Sequence, residues 1–503
     1  MKRVDHLVLI AHDVGKIFGF LGFASLVPFV VLAIFGEWNL FLPMASAPII
    51  FIVFSRLIAL IPGRNIEPPL SVALVAVAIS WFAIALVGAL PFVFGLHMTY
   101  TDALFEAMSG WSGTGFTMIT TLDTTPKTLL FWRSFTQWIG GIGIIAFGLS
   151  TRRKTRVSLF QFFRSEERPQ GMMPNIESTS RRMWRIYLFL TCAFTGLVML
   201  SGVPLWDSAN LVMVAIATGG FTLHSAGLAY YNNPLLELLL IPVMIAGAIP
   251  FKVFFLMYHG EIADMFRDQT VRILLGIAFV GSIIVSLDLY IFGSMSITTA
   301  FRQGVFVAVS GLCTCGLQNA NLHHWAAIPI AVVTMMMFIG GAIGSTAGGI
   351  KVNRVALAYT GVKWWFRRFF VSSRVIVPFR YEGRTLSKEI SDLEISKNML
   401  VIALYVITIF IATIACLHLY MTAFRLEEVV FEIVSALSNV GLGSGFVGSA
   451  SPVSIKWIFI FLMWLGRLEI VPVIILGLGI YKGFTAELNK EFRSTTPDEE
   501  RTG

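Results

Sequence analysis

The amino-acid sequence predicts an all-α integral membrane protein. It would contain four pseudo-repeats of a membrane span, a short helix with a glycine-bearing loop, and a second span, preceded by two further spans. Three observations support this. Apolar residues make up 56% of the 503 residues and charged residues only 13%, against about 25% charged in soluble domains. Ten apolar stretches are long enough to span a bilayer. Four shorter apolar stretches each lead into a glycine-bearing loop.

The ten predicted spans and the basic residues together indicate a topology. The spans lie near residues 17–36, 39–62, 69–96, 128–150, 184–204, 235–257, 270–293, 325–350, 398–420 and 454–480. With a cytoplasmic N-terminus, the inner segments hold 29 of the 37 lysines and arginines. Because cytoplasmic loops of membrane proteins are enriched in these residues, we expect a multi-pass protein of the cell membrane with both termini in the cytoplasm. The net charge of +8 then reflects topology, and no nucleic-acid partner is expected.

The four short apolar segments share one register. They are DALFEAMSG (102–110), DSANLVMVA (207–215), TAFRQGVFVAVSG (299–311) and EEVVFEIVSAL (427–437). Each leads into a glycine loop, which we number 1 to 4: SGTGF (112–116), ATGGF (217–221), CTCGL (313–317) and SNVGL (438–442). Their aligned glycines, called the ring glycines below, are Gly115, Gly220, Gly316 and Gly441. A common register in four places predicts an internal repeat.

The repeat divides the chain into six parts. They are an N-terminal two-span extension (1–67), repeat 1 (68–150), repeat 2 with a basic cytoplasmic loop (151–260), repeat 3 (261–363), repeat 4 with a second basic loop (364–485) and a cytoplasmic tail (486–503).

Glycine loops at membrane depth suit a cation path. Non-helical backbone is tolerated there where it lines a water-filled path, and glycine leaves its carbonyl unobstructed. A short helix entering from outside directs its negative C-terminal end toward the membrane centre. Four such loops around an axis would present carbonyl rings able to replace the water shell of a cation. Asp102, Asp207 and Glu427, near the helix starts, are better explained as capping residues.

Three further motifs are RSFTQWIGGIGI (133–144), FIGGAIGSTAGGIK (338–351) and LGRLEI (465–470). With the four loops, they make roughly residues 15–485 resemble the Trk/Ktr/HKT superfamily of potassium transporters, most closely its Trk H-type membrane subunits. The resemblance implies a central pore with a potassium filter of backbone carbonyls, and no organic cofactor. The implied filter residues are Ser112, Gly113, Thr114, Gly115, Thr218, Gly219, Gly220, Thr314, Cys315, Gly316, Asn439, Val440 and Gly441.

Loops 1 and 3 depart from the pattern of the superfamily. Many members have Thr-Thr-Gly there, whereas this chain has Gly-Thr-Gly and Thr-Cys-Gly. Carbonyls coordinate the ion, so these changes are compatible with potassium selectivity, and sodium permeation beside potassium stays open.

The stretch GSTAGGIK (344–351) superficially looks like a phosphate-binding loop. That pattern fails because Ile350 separates Gly349 from Lys351. The residues alone predict a kink in the helix of repeat 3, whereas the resemblance implies a gating loop inside the membrane. The implied gate comprises Gly344, Ser345, Thr346, Gly348, Gly349, Lys351 and Arg467.

Arg467 lies within a predicted span, where a charge is costly and is by default a functional candidate. It could form a structural pair with Glu432 or Glu106. The resemblance favours a positive charge below the filter that acts as an electrostatic barrier to cations. Lys252, in the matching span of repeat 2, is better explained as a packing or snorkelling charge.

Other residue clusters argue against catalysis. The four cysteines fit packing better than a metal site, and His323–His324 fit an exposed outer loop. No Ser/His/Asp or paired-carboxylate arrangement and no nucleotide motif stands out in the sequence, so we do not expect an enzyme. A secondary transporter that couples potassium or sodium to a sodium or proton gradient is the alternative to a channel, although such folds usually have two inverted halves.

The resemblance also implies a homodimer with a separate cytosolic ring subunit that binds nucleotide. The basic inner loops 151–185 and 351–397 could dock an acidic partner, and anchoring to anionic membrane lipid explains much of their charge.

Overall fold

Helices dominate the computed structural model, which describes residues 3–62, 70–150, 176–258, 265, 267–371, 377–381, 384–420 and 424–482. The predicted tail 486–503 and most of the basic loop 151–185 lie outside these residues. The first half contains α1 Arg3–Ala24, α2 Pro28–Phe35, α3 Phe41–Ala59, α4 Leu70–Gly88, α5 Leu90–Leu96, α6 Tyr100–Ser112, α7 Lys127–Ser150, α8 Ile176–Met199, α9 Leu205–Ile216, α10 Pro234–Ala248 and α11 Phe251–Tyr258.

Within the described residues, the second half contains eight further α-helices and one β-hairpin. They are α12 Gln269–Ile291, α13 Ile297–Leu312, α14 Ala327–Ile339, α15 Val352–Phe369, β1 Phe379–Tyr381, β2 Arg384–Leu386, α16 Lys388–Leu419, α17 Leu426–Leu437, α18 Val453–Arg467 and α19 Val471–Lys482. Among the described residues, this hairpin is the departure from the all-α prediction. Its strands are antiparallel, with Phe379 opposite Leu386.

Five helical stretches are long and apolar enough to cross a membrane: Leu7–Phe35, Trp38–Ala59, Leu74–Leu96, Gln269–Ile291 and Ile390–Leu419. Two bent pairs, α10 with α11 and α18 with α19, raise the number to seven if each pair is one span. Their bends are 105° and 109°. The membrane class is thereby supported over the described residues, and the count of ten spans stays a prediction.

The surface of several helices is apolar. Ile34 of α2, Leu42 of α3, Phe189 of α8 and Phe410 of α16 are among the large apolar side chains that remain exposed. Exposed apolar area on this scale marks a surface covered by protein or lipid. A lipid-facing surface is consistent with the apolar composition.

The four predicted short helices are present as α6, α9, α13 and α17. Most residues of each are buried, including Glu106 in α6 and Glu432 in α17. Their N-terminal caps differ from the expectation. The Thr99 hydroxyl accepts from the Asp102 amide, so Thr99 caps α6 and Asp102 lies in the first turn.

The predicted interruption in repeat 3 begins four residues earlier than expected. Helix α14 ends at Ile339, and helical structure resumes at Val352; we call residues 340–351 the interrupted segment. Gly340 has φ +71°, and a Cβ there would lie 2.8 Å from the Cα of Gly349. The backbone therefore folds back on itself at a contact that only glycine permits.

Candidate functional site: the four glycine loops

All four short helices end in the same way. In each loop, the amide of the residue before the ring glycine donates to the carbonyl five residues earlier, over 2.8–2.9 Å. These residues are Thr114, Gly219, Cys315 and Val440. The preceding amide, of Gly113, Thr218, Thr314 or Asn439, donates to the carbonyl three residues earlier, over 3.0–3.2 Å. Such bonds satisfy the last carbonyls of a helix and reverse the chain direction. The common register seen in the sequence therefore extends to the hydrogen bonds.

Each glycine loop contains two left-handed residues. The ring glycines Gly115, Gly220, Gly316 and Gly441 have φ of +110°, +83°, +79° and +89°. Two positions earlier, Gly113, Thr218, Thr314 and Asn439 have φ of +69°, +54°, +52° and +53°. Left-handed backbone is a genuine outlier for a β-branched residue. Thr218 and Thr314 thus hold strained backbone of the kind that concentrates at functional sites.

The ring glycines lie against one another in a closed cycle. A Cβ on Gly220 would lie 2.8 Å from the carbonyl oxygen of Cys315 in loop 3. In the same way, Gly115 meets the carbonyl of Gly219, Gly316 that of Val440, and Gly441 that of Thr114. Each loop thus contacts the next, and loop 4 returns to loop 1. The carbonyls in these contacts belong to the four residues that directly precede the ring glycines.

Side-chain hydrogen bonds fix the loops to one another and to their helices. The Asn439 amide donates to the Thr114 hydroxyl at 3.0 Å, which joins loop 4 to loop 1. The Ser112 and Thr114 hydroxyls are 2.6 Å apart. The hydroxyls of Ser109 and Ser435 accept from the amides of Gly115 and Gly441 at 2.9 and 3.0 Å.

Gln137 of α7 holds glycine loop 2. Its side-chain amide donates to the carbonyl of Gly219, and its oxygen accepts from the amide of Phe221 at 3.1 Å. Gln137 belongs to the motif RSFTQWIGGIGI, and these bonds explain why a polar residue lies in this apolar helix. The same motif supplies Gly140 and Gly141, where an added Cβ would collide with the backbone of Trp111 and crowd that of Ala217.

Two buried carboxylates hold the chain that leaves loops 1 and 4. Glu432 accepts hydrogen bonds from the amides of Ser444, Gly445, Phe446 and Val447 over 2.7–2.8 Å. Glu106 accepts from the amide of Met118 at 2.7 Å and from the hydroxyl of Thr117. Sequence reasoning considered both acids only as partners for Arg467. Their common position, nine residues before a ring glycine, was the available signal for this structural role.

Two ion pairs hold the chain that follows loops 2 and 3. Arg133 Nε donates to Glu106 at 2.7 Å, and its Nη1 donates to the carbonyl of Thr222. In the other pair, Arg302 of α13 donates two hydrogen bonds to Glu237 of α10, which also accepts from Asn319. Buried charges require such pairing. Sequence reasoning missed Arg133, Glu237 and Arg302.

The interrupted segment lies at the base of the loops. Thr346 donates to the carbonyls of Ile216 and Gly247 at 2.9 Å, and its hydroxyl is 3.4 Å from that of Thr218. The amide of Gly348 donates to the hydroxyl of Thr314 at 2.7 Å. A Cβ on Gly348 would also collide with the carbonyl of Ser438. The segment therefore contacts the backbone or side chains that begin loops 2, 3 and 4.

The remaining predicted gate residues tie the segment to its surroundings. The carbonyl of Gly344 accepts from the amide of Phe251 at 2.9 Å, at the bend between α10 and α11. Ser345 donates to Ala342 at 2.6 Å, and the Lys351 ammonium donates to the carbonyl of Ala347. Gly349 has φ +79°, a conformation that favours glycine.

Arg467, at the end of α18, bonds to carbonyl oxygens. Its guanidinium donates to Thr346 at 3.3 Å, to Gly141 at 3.0 Å and to Gly140. It therefore connects the interrupted segment with α7. The alternative of a structural pair with Glu432 or Glu106 is not observed, since those acids are bonded to backbone amides and to Arg133. Arg467 is thus a positive charge surrounded by carbonyl dipoles.

Other residues singled out from the sequence lie elsewhere. Lys252 is 3.4 Å from the carboxylate of Asp268. His323 is half exposed and lies 2.7 Å from Glu428. Cys313, Cys315 and Cys416 are buried free thiols. Over the described residues, no group of three or more His, Cys, Asp or Glu side chains could hold a metal ion.

Comparisons with known proteins agree with this architecture. The family model of TrkH, a cation transport protein, matches residues 44–480. An uncharacterised cation transporter of Methanocaldococcus jannaschii is 29% identical, over 94% of this chain and 95% of its own length. The Trk system potassium uptake protein TrkH of Salmonella typhimurium is 30% identical, over 80% of this chain and 83% of its own.

A solved structure gives the same result. The crystal structure of the potassium transporter TrkH from Vibrio parahaemolyticus superimposes with a TM-score of 0.81 and 25% identity, covering 93% of this chain and 98% of its own. The chain belongs to the TrkH family of cation transport proteins.

Proposed function

We propose that this chain is the membrane subunit of a Trk-type potassium uptake system and conducts potassium through a gated, channel-like pore. Four repeats would surround the pore, and the selectivity filter would consist of backbone carbonyls from the four glycine loops. The observation that carries the proposal is the closed cycle of ring-glycine contacts. Potassium transport is also named for two relatives, the Salmonella protein and the Vibrio structure.

The electrostatics of the cycle favour a cation. All four short helices end at the loops, so the negative ends of four helix dipoles converge there. The carbonyls of Thr114, Gly219, Cys315 and Val440 stand at the contacts between loops. Rings of such carbonyls replace the water shell of an ion in potassium filters. Loops 1 and 3 depart from the Thr-Thr-Gly pattern of many superfamily members. Sodium permeation beside potassium therefore stays open and can be measured.

The interrupted segment and Arg467 are proposed as the gate. The segment is held by hydrogen bonds to Thr314 and Thr218 at the base of the loops. Non-helical backbone at this depth is expected where it is buried in protein or lines a water-filled path. Opening would move the segment aside, and the charge of Arg467 would oppose cations passing below the filter.

The proposed setting follows the family. The chain would lie in the cell membrane with ten spans and both termini in the cytoplasm, as a homodimer that binds a separate cytosolic nucleotide-binding ring. Its basic inner loops would contact that ring and anionic lipid. Control by nucleotide would come from that separate subunit.

Flux measurements on the purified protein test the proposal. The protein is reconstituted in liposomes loaded with potassium, and efflux is followed under a potassium gradient alone. Efflux that is faster than in empty liposomes, and independent of sodium and pH gradients, is the expected result. If efflux required a sodium or proton gradient, the secondary-transporter alternative would replace the channel. Absence of flux under every gradient would overturn both.

A further inference from the structure

Helix α15 (Val352–Phe369) carries an exposed aromatic stripe. Tyr359, Val362, Phe366 and Phe369 recur at intervals of three and four residues, and are 68%, 47%, 54% and 72% exposed. This spacing aligns them on one helix face. Trp365 packs beside the stripe, with its ring 5.3 Å from Phe366 and 4.9 Å from Phe369.

The opposite face of α15 packs against the protein. Arg354, Leu357 and Gly361 are buried, and a Cβ on Gly361 would lie 3.5 Å from Ile395 of α16. Trp364 donates to the carbonyl of Val377 at 2.9 Å and packs on Phe379 of the hairpin. The aromatic stripe therefore points away from the rest of the described residues, and packing among those residues does not explain it.

Two basic residues border the stripe. Lys363 and Arg367 are exposed and lie one turn apart. Each comes directly after a residue of the stripe, Val362 or Phe366, so both lie along one edge of it. An apolar aromatic face beside lysine and arginine is the pattern of a helix that lies in a membrane interface. Cytoplasmic leaflets carry anionic lipids that attract such residues.

The position of α15 is at the edge of a membrane span. Its Gly361 contacts Ile395, and the candidate span Ile390–Leu419 begins five residues before that contact. Beyond Ile395 the same span exposes Val406 and Phe410. The stripe thus lies beside the end of a candidate span that exposes apolar side chains, where lipid headgroups are expected. This position favours lipid over a protein as its occupant.

The first turn of α15 is bonded to the interrupted segment. Asn353 accepts from the amide of Ile343 at 2.9 Å and donates to the hydroxyl of Thr270. Its carbonyl accepts from Tyr381 of the hairpin at 3.1 Å. A tilt of α15 would therefore be transmitted directly to the residues that contact the glycine loops.

We propose that the aromatic stripe of α15, with Lys363 and Arg367, binds the anionic surface of the inner leaflet and thereby adjusts the position of the interrupted segment. The binding surface follows from the exposed face itself. Its effect on conduction rests on the proposed function.

Binding is measured by fluorescence quenching on the full-length protein. Vesicles contain phosphatidylcholine with brominated phosphatidylglycerol, and the wild type is compared with Trp365→Phe. The expected result is a quenched component in the wild type that is missing in the variant. If Trp365 emission is present but unquenched, a second copy of the chain or another protein covers the face, and the proposal is wrong.

Conduction is measured in phosphatidylcholine vesicles with rising phosphatidylglycerol content. The double variant Lys363→Gln/Arg367→Gln is compared with the matched control Arg380→Gln/Lys397→Gln, which removes two exposed charges from the hairpin and α16. Each replacement on α15 should weaken lipid binding by about fivefold. Wild type and control should therefore change flux as anionic lipid increases, while the α15 variant responds much less.

The results separate this inference from the proposed function. An identical lipid response in all three proteins, with flux intact, overturns the inference alone. No potassium flux in any lipid, while quenching of Trp365 persists, contradicts the proposed function and leaves the lipid surface intact.

Discussion

The amide of Gly348 donates a 2.7 Å hydrogen bond to the hydroxyl of Thr314. The bond joins the interrupted segment to Thr314, the left-handed second residue of glycine loop 3. A neighbouring contact of 3.4 Å joins the hydroxyls of Thr346 and Thr218. Displacement of the segment must break these contacts, so the proposed gate and the proposed filter are physically coupled.

Thr314→Val is expected to increase potassium flux. The change removes the acceptor for the Gly348 amide and leaves that amide unpaired in the observed arrangement, at a cost of about 1–3 kcal/mol. The equilibrium should move toward states in which the segment is displaced, raising liposome flux by about fivefold or more. Thr314→Ser retains the hydroxyl and is the control. Equal flux in the valine, serine and wild-type proteins would show that this bond does not hold the gate.

Arg467→Ala is expected to raise flux per molecule. The variant removes both a positive charge and the hydrogen bonds to Thr346, Gly140 and Gly141. Arg467→Lys keeps the charge but lacks the planar fork of donors. If the electrostatic barrier dominates, the lysine variant resembles the wild type. If the lysine variant resembles the alanine variant, the hydrogen bonds of Arg467 matter more than its charge. Reduced expression of Arg467→Ala with unchanged flux per molecule would indicate a purely structural role.

Gly316→Ser is expected to weaken discrimination between potassium and sodium. Gly316 has φ +79°, and its Cβ would collide with the carbonyl oxygen of Val440. The loops must then shift, which disturbs the carbonyl ring. Reversal potentials in mixed potassium and sodium salts measure the effect. Gly448→Ser is the control, because a Cβ there meets nothing within 4 Å; unchanged selectivity in Gly316→Ser would contradict the filter assignment of loop 3.

Glu432→Gln is expected to destabilise the protein by roughly 3 kcal/mol, since hydrogen bonds to charged groups contribute about 1.5–3 kcal/mol each. The carboxylate accepts from four backbone amides, and a glutamine offers one oxygen and two competing donors. Thermal unfolding in detergent gives the comparison. Glu427→Gln on the same helix removes only a partly exposed pair with Arg425, and should change stability by less than about 1 kcal/mol. Equal losses of stability in Glu432→Gln and Glu427→Gln would contradict the structural role assigned to the Glu432 carboxylate.

The contact of Asp123 with His224 and Ser225, which joins the segments after loops 1 and 2, should depend on acid. Hydrogen bonds from His224 and from Ser225 lower the pKa of Asp123 from 3.8 to about 2. A depressed carboxyl pKa contributes stability above the ordinary value, and the contribution is lost as pH falls through the lowered value. The unfolding temperature of wild type should exceed that of Asp123→Asn from neutral pH down to about pH 4. The difference should then shrink toward pH 2, and a constant difference would contradict the assignment.

Much of the fold could be predicted because its signals are local. Apolar runs predicted the helical membrane class, and the common register of Gly115, Gly220, Gly316 and Gly441 located the four short helices. The left-handed backbone at these glycines follows from residue chemistry, since glycine alone adopts it at little cost. The family resemblance then selected the residues of the proposed filter and gate.

The contacts of charged residues required the tertiary structure. The acids Glu106 and Glu432 were considered as partners for Arg467, yet one is bonded to Arg133 and the other to four amides. These partners lie on other elements or follow a chain reversal. Helical spacing identifies neighbours only within one helix.

By itself, the sequence determined the class of the protein, the positions of the short helices and the glycines that permit left-handed turns. These depend on composition and on residues close together in the chain. Only the tertiary structure decided that the loops close into a cycle, that Gly348 bonds to Thr314 and that the aromatic face of α15 points outward. The ring glycines are about a hundred residues apart and Gly348 is 34 residues from Thr314. Contacts between such distant positions depend on how the helices assemble.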